Sequence, residues 1–227
     1  MMNVRKSCHH GKSGYENQLL PVLSLLNDFD MIEVDFVCYQ NQYISSHDYD
    51  LSNIEKGSTL EEWVELVMNH DKILWIDLKD ETSSVFIPQM SELNMDRLFD
   101  LLDTLHETWD KLHKHIIIGC QYHQVYEYLT SFTHPFTILR DLPKDQMYVM
   151  DMIAPDYFKE MTHQMIIDQT KLEVGKAKMV AIDIQFFNET QLLDFIDICY
   201  ASTIILYNCP PNYMLQHHKH LIHQYDY

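Results

Sequence analysis

The chain has 227 residues, 46% of them hydrophobic, enough to bury one sizeable core, and a single domain spanning 1–227 is expected. A formal charge of −18 argues against nucleic acid or an anionic lipid surface as partner, and no apolar run is long enough to cross a bilayer. The opening stretch MMNVRKSCHHGKSGYEN is basic but has no apolar run behind it, unlike a secretory signal, so a cytoplasmic location is expected.

In chain order, short β-rich runs alternate with amphipathic stretches. A weak run at 4–8, interrupted by Arg5 and Lys6, precedes a helical pattern of Leu19, Leu20, Val22, Leu23, Leu25 and Leu26. Strand-like runs follow at 32–37 and 73–78, with Trp63, Leu66 and Val67 at helical spacing between them. The longest helical pattern covers 91–114, its apolar stripe formed by Leu98, Leu101, Leu102, Leu105, Trp109 and Leu112. Further strands are predicted at 116–119, 136–139, 147–150, 179–186 and 203–207, and further helices at 157–167 and 189–199. About eight β elements alternating with helices over this length predict an α/β fold, a single-domain (β/α)8 TIM barrel. A doubly wound open sheet is the alternative, but no glycine-rich phosphate loop supports it. The tail MLQHHKHLIHQYDY, with His217, His218, His220 and His223, reads as a solvated terminal helix. Its i, i+3 histidine pairs give a low-specificity transition-metal motif. Five widely spaced cysteines without a C-x-x-C pair predict buried, reduced thiols.

The chemistry-bearing residues gather in the first 80 positions. In MIEVDFV, alternation puts Ile32, Val34 and Phe36 on one strand face and Glu33 and Asp35 on the other. Two carboxylates side by side on an otherwise apolar strand repel each other unless a cation lies between them. In ILWIDLKD, Trp75, Asp77 and Lys79 share a face; Asp77 completes an oxygen-rich set suited to a hard divalent cation, Mg²⁺ or Ca²⁺. Lys79 is placed to meet a phosphate oxygen or to pair with an acid. His9 and His47 end two other short runs, and histidine titrates near neutral pH. Two proton carriers, three carboxylates and a lysine make the inventory of a metal-assisted phosphodiesterase. Asp183, Gln185, Asn208 and Arg140 are weaker candidates for the barrel mouth.

In order along the chain stand His9-His10-Gly11, Glu16-Asn17, Ile32-Glu33-Val34-Asp35, His47-Asp48, Thr59-Leu60-Glu61-Glu62 and Ile76-Asp77-Leu78-Lys79. This series resembles the glycerophosphodiester phosphodiesterase family, within the phospholipase-C-like phosphodiesterase TIM barrels, across roughly the first 80 residues. The resemblance implies that His9 and His47 are the general base and acid. It implies Glu33, Asp35 and Asp77 as ligands of one divalent cation, and Lys79, His10, Glu16 and Asn17 as substrate-binding residues. The implied substrate is a small or lipid-derived phosphodiester. Three features depart from the family pattern: His10 replaces an arginine, Asp77 replaces a glutamate, and only about ten residues separate His47-Asp48 from Thr59-Leu60, where many members carry a sizeable insertion. Related sphingomyelinase-D-like phospholipases also carry aspartate at the position of Asp77, and attack by a substrate hydroxyl would then give a cyclic phosphate. A barrel that has lost catalysis and binds a phosphorylated ligand or a partner protein is the remaining alternative.

Overall fold

The computed structural model describes residues 6–9, 18–23, 26–47, 51–79, 92–120, 129–131, 133–142, 177–184, 189–199, 201–210 and 212–226. Within them lie nine strands: β1 Lys6–His9, β2 Met31–Tyr39, β3 Gln42–Ser45, β4 Ile73–Lys79, β5 Ile116–Cys120, β6 Thr137–Leu142, β7 Met179–Asp183, β8 Thr203–Tyr207 and β9 His220–Asp226. The order β1-β9-β8-β7-β6-β5-β4-β2, with a further β1–β2 pairing, closes eight parallel strands into a ring. That ring is the expected (β/α)8 barrel, and its closure excludes the open doubly wound sheet. The ninth strand, β3, folds back antiparallel on β2 through Gln40 and Asn41, whose φ angles of 49° and 65° are those of a tight two-residue hairpin turn.

Packing follows strand alternation. Met31, Ile73, Trp75, Ile117, Leu139, Met179, Ala181, Ile205 and Ile222 point inward and fill the barrel. The intervening residues face the helices α1 Leu19–Leu23, α3 Leu60–His70, α4 Glu92–Thr108 and α5 Glu189–Ile198; the short α2 spans Leu51–Ile54. Val34, Phe36, Leu74, Ile76 and Ile118 meet Trp63 and Val67 of α3 and Leu98 and Leu102 of α4. On the other side, Val180, Ile182, Ile204 and Leu206 meet Leu192, Phe195 and Ile196 of α5. Each large side chain buried in this way contributes roughly 1.5–3 kcal/mol. The predicted 91–114 helix is observed as α4 followed, after a break, by a 3-10 turn at Leu112–Lys114.

α3 also explains the Thr59-Leu60-Glu61-Glu62 run. Thr59 Oγ1 accepts from the Glu62 amide at 3.3 Å, and the Thr59 amide donates to Glu62 Oε2 at 2.8 Å, a reciprocal capping box. Glu62 is thus engaged in starting a helix.

The largest correction concerns the tail. Instead of a solvated helix, residues 220–226 form β9, which pairs in parallel with both β8 and β1 and closes the barrel. Ile222 joins the interior, while Leu221, His223 and Tyr225 are buried on the other face. Four nearby histidines made the segment look hydrophilic, yet a neutral imidazole buried against apolar neighbours behaves as half a hydrophobe. The weak first run is a strand, shifted to Lys6–His9. The predicted strand at 147–150 and helix at 157–167 lie outside the described residues; β6 pairs directly with β7. Cys8, Cys38, Cys199 and Cys209 are buried thiols, as expected. Among the described residues, no helix is long and apolar enough to cross a membrane.

Candidate active site

The site grows from the registers of β2 and β4. Asp35 lies directly beside Asp77, and Glu33 beside Trp75, with Glu33, Asp35, Asp77 and Lys79 all on the inward face above the apolar filling. Carboxylate oxygens of Glu33, Asp35 and Asp77 come within 4.8 Å of one another. All three residues are buried: Glu33 is 6% exposed, Asp35 2% and Asp77 2%. Three anions this close and this dry are tolerable only with positive charge among them.

Lys79 supplies part of it. Its Nζ lies 3.0 Å from Asp35 Oδ1 and 2.5 Å from Asp77 Oδ2. Burial would depress its pKa, but attraction to Asp35, Asp77 and Glu33 outweighs that and holds it well above the ordinary lysine value. Lys79 therefore stays an ammonium at physiological pH. Among the described residues, one ammonium faces three carboxylates, an excess that a divalent cation would match. An all-oxygen, anionic donor set suits a hard cation, so these residues fit the ion implied by the sequence pattern.

Two strand ends bring the histidines to the same edge. On the side of β2 away from β4, β1 pairs as far as the His9–Glu33 register, and β3 pairs from the Phe36–Ser45 register onward. The end of β1 and the end of β3 therefore meet beside Glu33 and Asp35. The Ser46 amide donates to the Asp35 carbonyl at 3.0 Å and holds the start of the next loop there, and His47, exposed, is the following residue. That loop is tied at its far end as well: Ser45 N–H donates to Ser58 O, and Ser58 N–H donates to Ser45 Oγ, each at 2.8 Å. Gly57 passes so close to the Ser45 carbonyl that a Cβ would overlap it. His9 is placed by its backbone only. His10, Glu16, Asn17 and Gln185 lie outside the described residues, as do the side chains of Arg140 and Asp183. Asn208 follows β8 with φ 56°.

Two features of the site were not read from sequence. Gln224, 2% exposed on β9, donates from Nε2 to Glu33 Oε2, past the intervening β1. The hydrogen bond occupies one oxygen of Glu33 and fixes the carboxylate's rotation. A glutamine at the inward position two residues after Ile222 was the available signal, hidden because the tail was read as helix. The second is the floor. Gly119, next to Asp77 in register, has no side chain, and Trp75 fills the space: a Cβ on Gly119 would overlap Trp75 Nε1. The indole forms an apolar base under the carboxylates.

No protein-family model matches the chain, and no curated protein sequence does. Solved structures do. A protein from Galdieria sulphuraria assigned as a glycerophosphodiester phosphodiesterase superposes with a TM-score of 0.60 at 15% identity, covering 97% of this chain and 94% of that one. A protein from Silicibacter pomeroyi assigned to the same activity gives 0.58 at 12% identity, covering 91% and 83%. An Oleispira antarctica phosphodiesterase in complex with its product sn-glycerol-3-phosphate gives 0.59 at 13% identity, covering 97% and 93%. Over nearly its whole length, the chain has the barrel fold seen in these glycerophosphodiester phosphodiesterase structures.

Proposed function

We propose that this protein is a divalent-metal-dependent phosphodiesterase that cleaves a glycerophosphodiester or a related lipid-derived phosphodiester by histidine acid–base catalysis. The observation that carries this reading is the convergence of buried Glu33, Asp35 and Asp77, with oxygens within 4.8 Å, beside the ends of the strands that lead to His9 and His47. The fold likeness supports the substrate class, since the Oleispira antarctica neighbour holds sn-glycerol-3-phosphate as product.

Glu33, Asp35 and Asp77 would hold one Mg²⁺ or Ca²⁺. When bound, the cation supplies Lewis-acid stabilisation of negative charge on a phosphoryl oxygen. Lys79, paired with Asp35 and Asp77, would add a second positive charge facing the phosphate. One of His9 and His47 takes a proton from the attacking oxygen as it bonds to phosphorus. The other gives a proton to the alkoxide oxygen that leaves, so the products are a phosphomonoester and an alcohol. The exposed position of His47 allows exchange of its proton with solvent between turnovers. Trp75 beneath the carboxylates excludes water and strengthens each charge interaction above it. His10, Glu16 and Asn17 remain assigned to substrate binding.

The test is hydrolysis of glycerophosphocholine and lysophosphatidylcholine with Mg²⁺ or Ca²⁺, with and without EDTA, followed by ³¹P NMR. The expected result is cation-dependent release of glycerol phosphate from the first substrate, or of lysophosphatidate from the second. A cyclic phosphate instead would move the protein to intramolecular attack by a substrate hydroxyl. Phosphodiester binding without turnover would leave the barrel as a binding protein.

A further inference from the structure

Of the histidine-rich tail, two side chains face a carboxylate at the opposite end of the barrel from the candidate active site. His217 and His218 immediately precede β9 and so lie at its N-terminal end, where the last turn of α5 carries Asp197. His217 Nε2 is 3.0 Å from Asp197 Oδ1, and His218 Nδ1 is 3.9 Å from the same oxygen. One ligand atom from each of the three residues falls within a 4.8 Å group. We propose that Asp197, His217 and His218 form a second cation site, selective for Zn²⁺ or a similar borderline transition metal, that staples the β8–β9 crossover to α5.

The dimensions suit a small tetrahedral ion. Ligands 2.0–2.1 Å from Zn²⁺ stand about 3.3 Å apart, and the two observed separations bracket that value. The donor chemistry separates this site from the other one: two imidazoles and a carboxylate suit zinc, whereas three carboxylates suit magnesium or calcium. Small rearrangements are required. The imidazole centroids are only 4.0 Å apart, so His218 must swing outward, which its exposed side chain is free to do. The Lys219 amide donates to His217 Nδ1 at 3.2 Å, so the ring hydrogen sits on Nε2, facing Asp197. Metal binding moves that hydrogen to Nδ1 and gives up the Lys219 contact, a long hydrogen bond at a partly exposed position.

The electrostatic setting favours a cation. The last turn of α5 has no basic residue, yet it carries Asp197 where the helix dipole is already negative. The chain compensates from outside: Lys219 Nζ donates to the carbonyls of Ile196 and Cys199, each at 2.5 Å. The described residues of the crossover, 208–210 and 212–219, contain no helix, and they are held by contacts such as Tyr225 Oη to Tyr213 O at 2.8 Å and Leu215 N–H to His223 Nε2 at 3.0 Å. An ion bridging Asp197 to His217 and His218 would close this segment onto the barrel.

The test is calorimetric titration of the whole protein with Zn²⁺ in saturating Mg²⁺, together with thermal melting, for wild type, His218→Ala and Asp197→Asn. The expected result is one more zinc equivalent and a zinc-dependent rise in Tm in wild type only, with at least tenfold weaker binding in each variant. Co²⁺ loaded into wild type should show the strong visible bands of four-coordinate cobalt, absent in His218→Ala. His218 is exposed, so its loss leaves the fold intact. Equal zinc stoichiometry and equal Tm shifts in all three proteins would overturn the proposal. Phosphodiesterase activity in Mg²⁺ should be the same in wild type and His218→Ala, so this result is independent of the catalytic reading.

Discussion

From Asp35, the hydrogen-bonded register passes inward-facing positions in the order Asp77, Gly119 and Leu139. On the arc made by β2 and β4, the interior above the floor is Glu33, Asp35, Asp77 and Lys79. On the arc from β5 through β8, the inward positions include Ile117, Gly119, Leu139, Met179, Ala181, Ile205 and Tyr207, with the backbones of Asp141 and Asp183 on the same face nearer the mouth. At the level of Asp35, the same strand geometry thus carries charge on β2 and β4 and small or apolar residues on β5 and β6. The apolar arc is what makes the charged arc chemically useful: it keeps water away from the carboxylates, so their interactions act in a low dielectric. Gln224 is the polar exception, reaching from β9 to hold Glu33.

The sharpest way to break this contrast is at the rim above the charged arc. His47→Ala should lower phosphodiester turnover by roughly 10²–10⁴-fold, the range for removal of a general acid or base, with Tm unchanged because His47 is exposed. Steady-state kinetics against glycerophosphocholine would check it; unaltered kcat would remove His47 from catalysis.

Next in size is Lys79→Met, which strips from the charged arc the ammonium paired with buried Asp35 and Asp77. In EDTA the loss should be on the order of 3 kcal/mol, a drop in Tm of about 6–12 °C. Saturating Mg²⁺ should narrow the gap to wild type, because a bound ion provides the missing positive charge. Melting curves with and without Mg²⁺ decide this; an equal deficit in both would mean that Lys79 acts only through packing.

The apolar arc is probed by Gly119→Ala. The new methyl group must displace a fully buried indole rather than a flexible side-chain tip. Overpacking of this kind costs about 1–3 kcal/mol, and a tilted Trp75 would disturb Asp77 above it. A denaturant melt measures the first effect, and cation affinity in the same variant measures the second.

The two arcs differ in how far they could be read in advance. Glu33, Asp35, Asp77 and Lys79 were legible because strand period is local: residues two apart share a face, whatever the barrel does. Their convergence followed once adjacent strands were assumed parallel. The partnership of Gly119 with Trp75 was not legible, because it depends on the register between β4 and β5, which no short-range pattern encodes. Gln224 was missed for a different reason. Reading the histidine-rich tail as a solvated segment turned an alternating strand into a helix, although Ile222 and Gln224 do alternate with buried Leu221, His223 and Tyr225. Glu62 illustrates a third case, in which a family motif was visible but its described contacts, a helix cap, needed the backbone to be seen.

Gln224→Leu tests whether β9 contributes to the site. The amide holds Glu33 without adding charge, and removing such an orienting partner typically weakens cation binding by about 10–100-fold. The Mg²⁺-induced rise in Tm should shrink, while stability in EDTA changes little. An undiminished Mg²⁺ response would show that Glu33 is oriented without Gln224.

The smallest expected effect lies outside the barrel wall, at His223. Burial lowers its pKa, only partly opposed by the Leu215 N–H donated to its Nε2. The unfolded chain, with an ordinary histidine pKa near 6.5, takes up a proton before the folded protein does. Stability linked to His223 is therefore fully present above about pH 6.5 and declines as pH falls through the lowered folded value. His223→Gln keeps an acceptor for Leu215 and removes the titration, so its Tm should fall less steeply than that of wild type on acidification from pH 7. Parallel Tm–pH curves would assign the acid sensitivity elsewhere, with the three site carboxylates as the next groups to examine. That outcome would move pH control from the β9 exterior back to the charged arc, where Lys79 is paired with Asp35 and Asp77 in a buried setting.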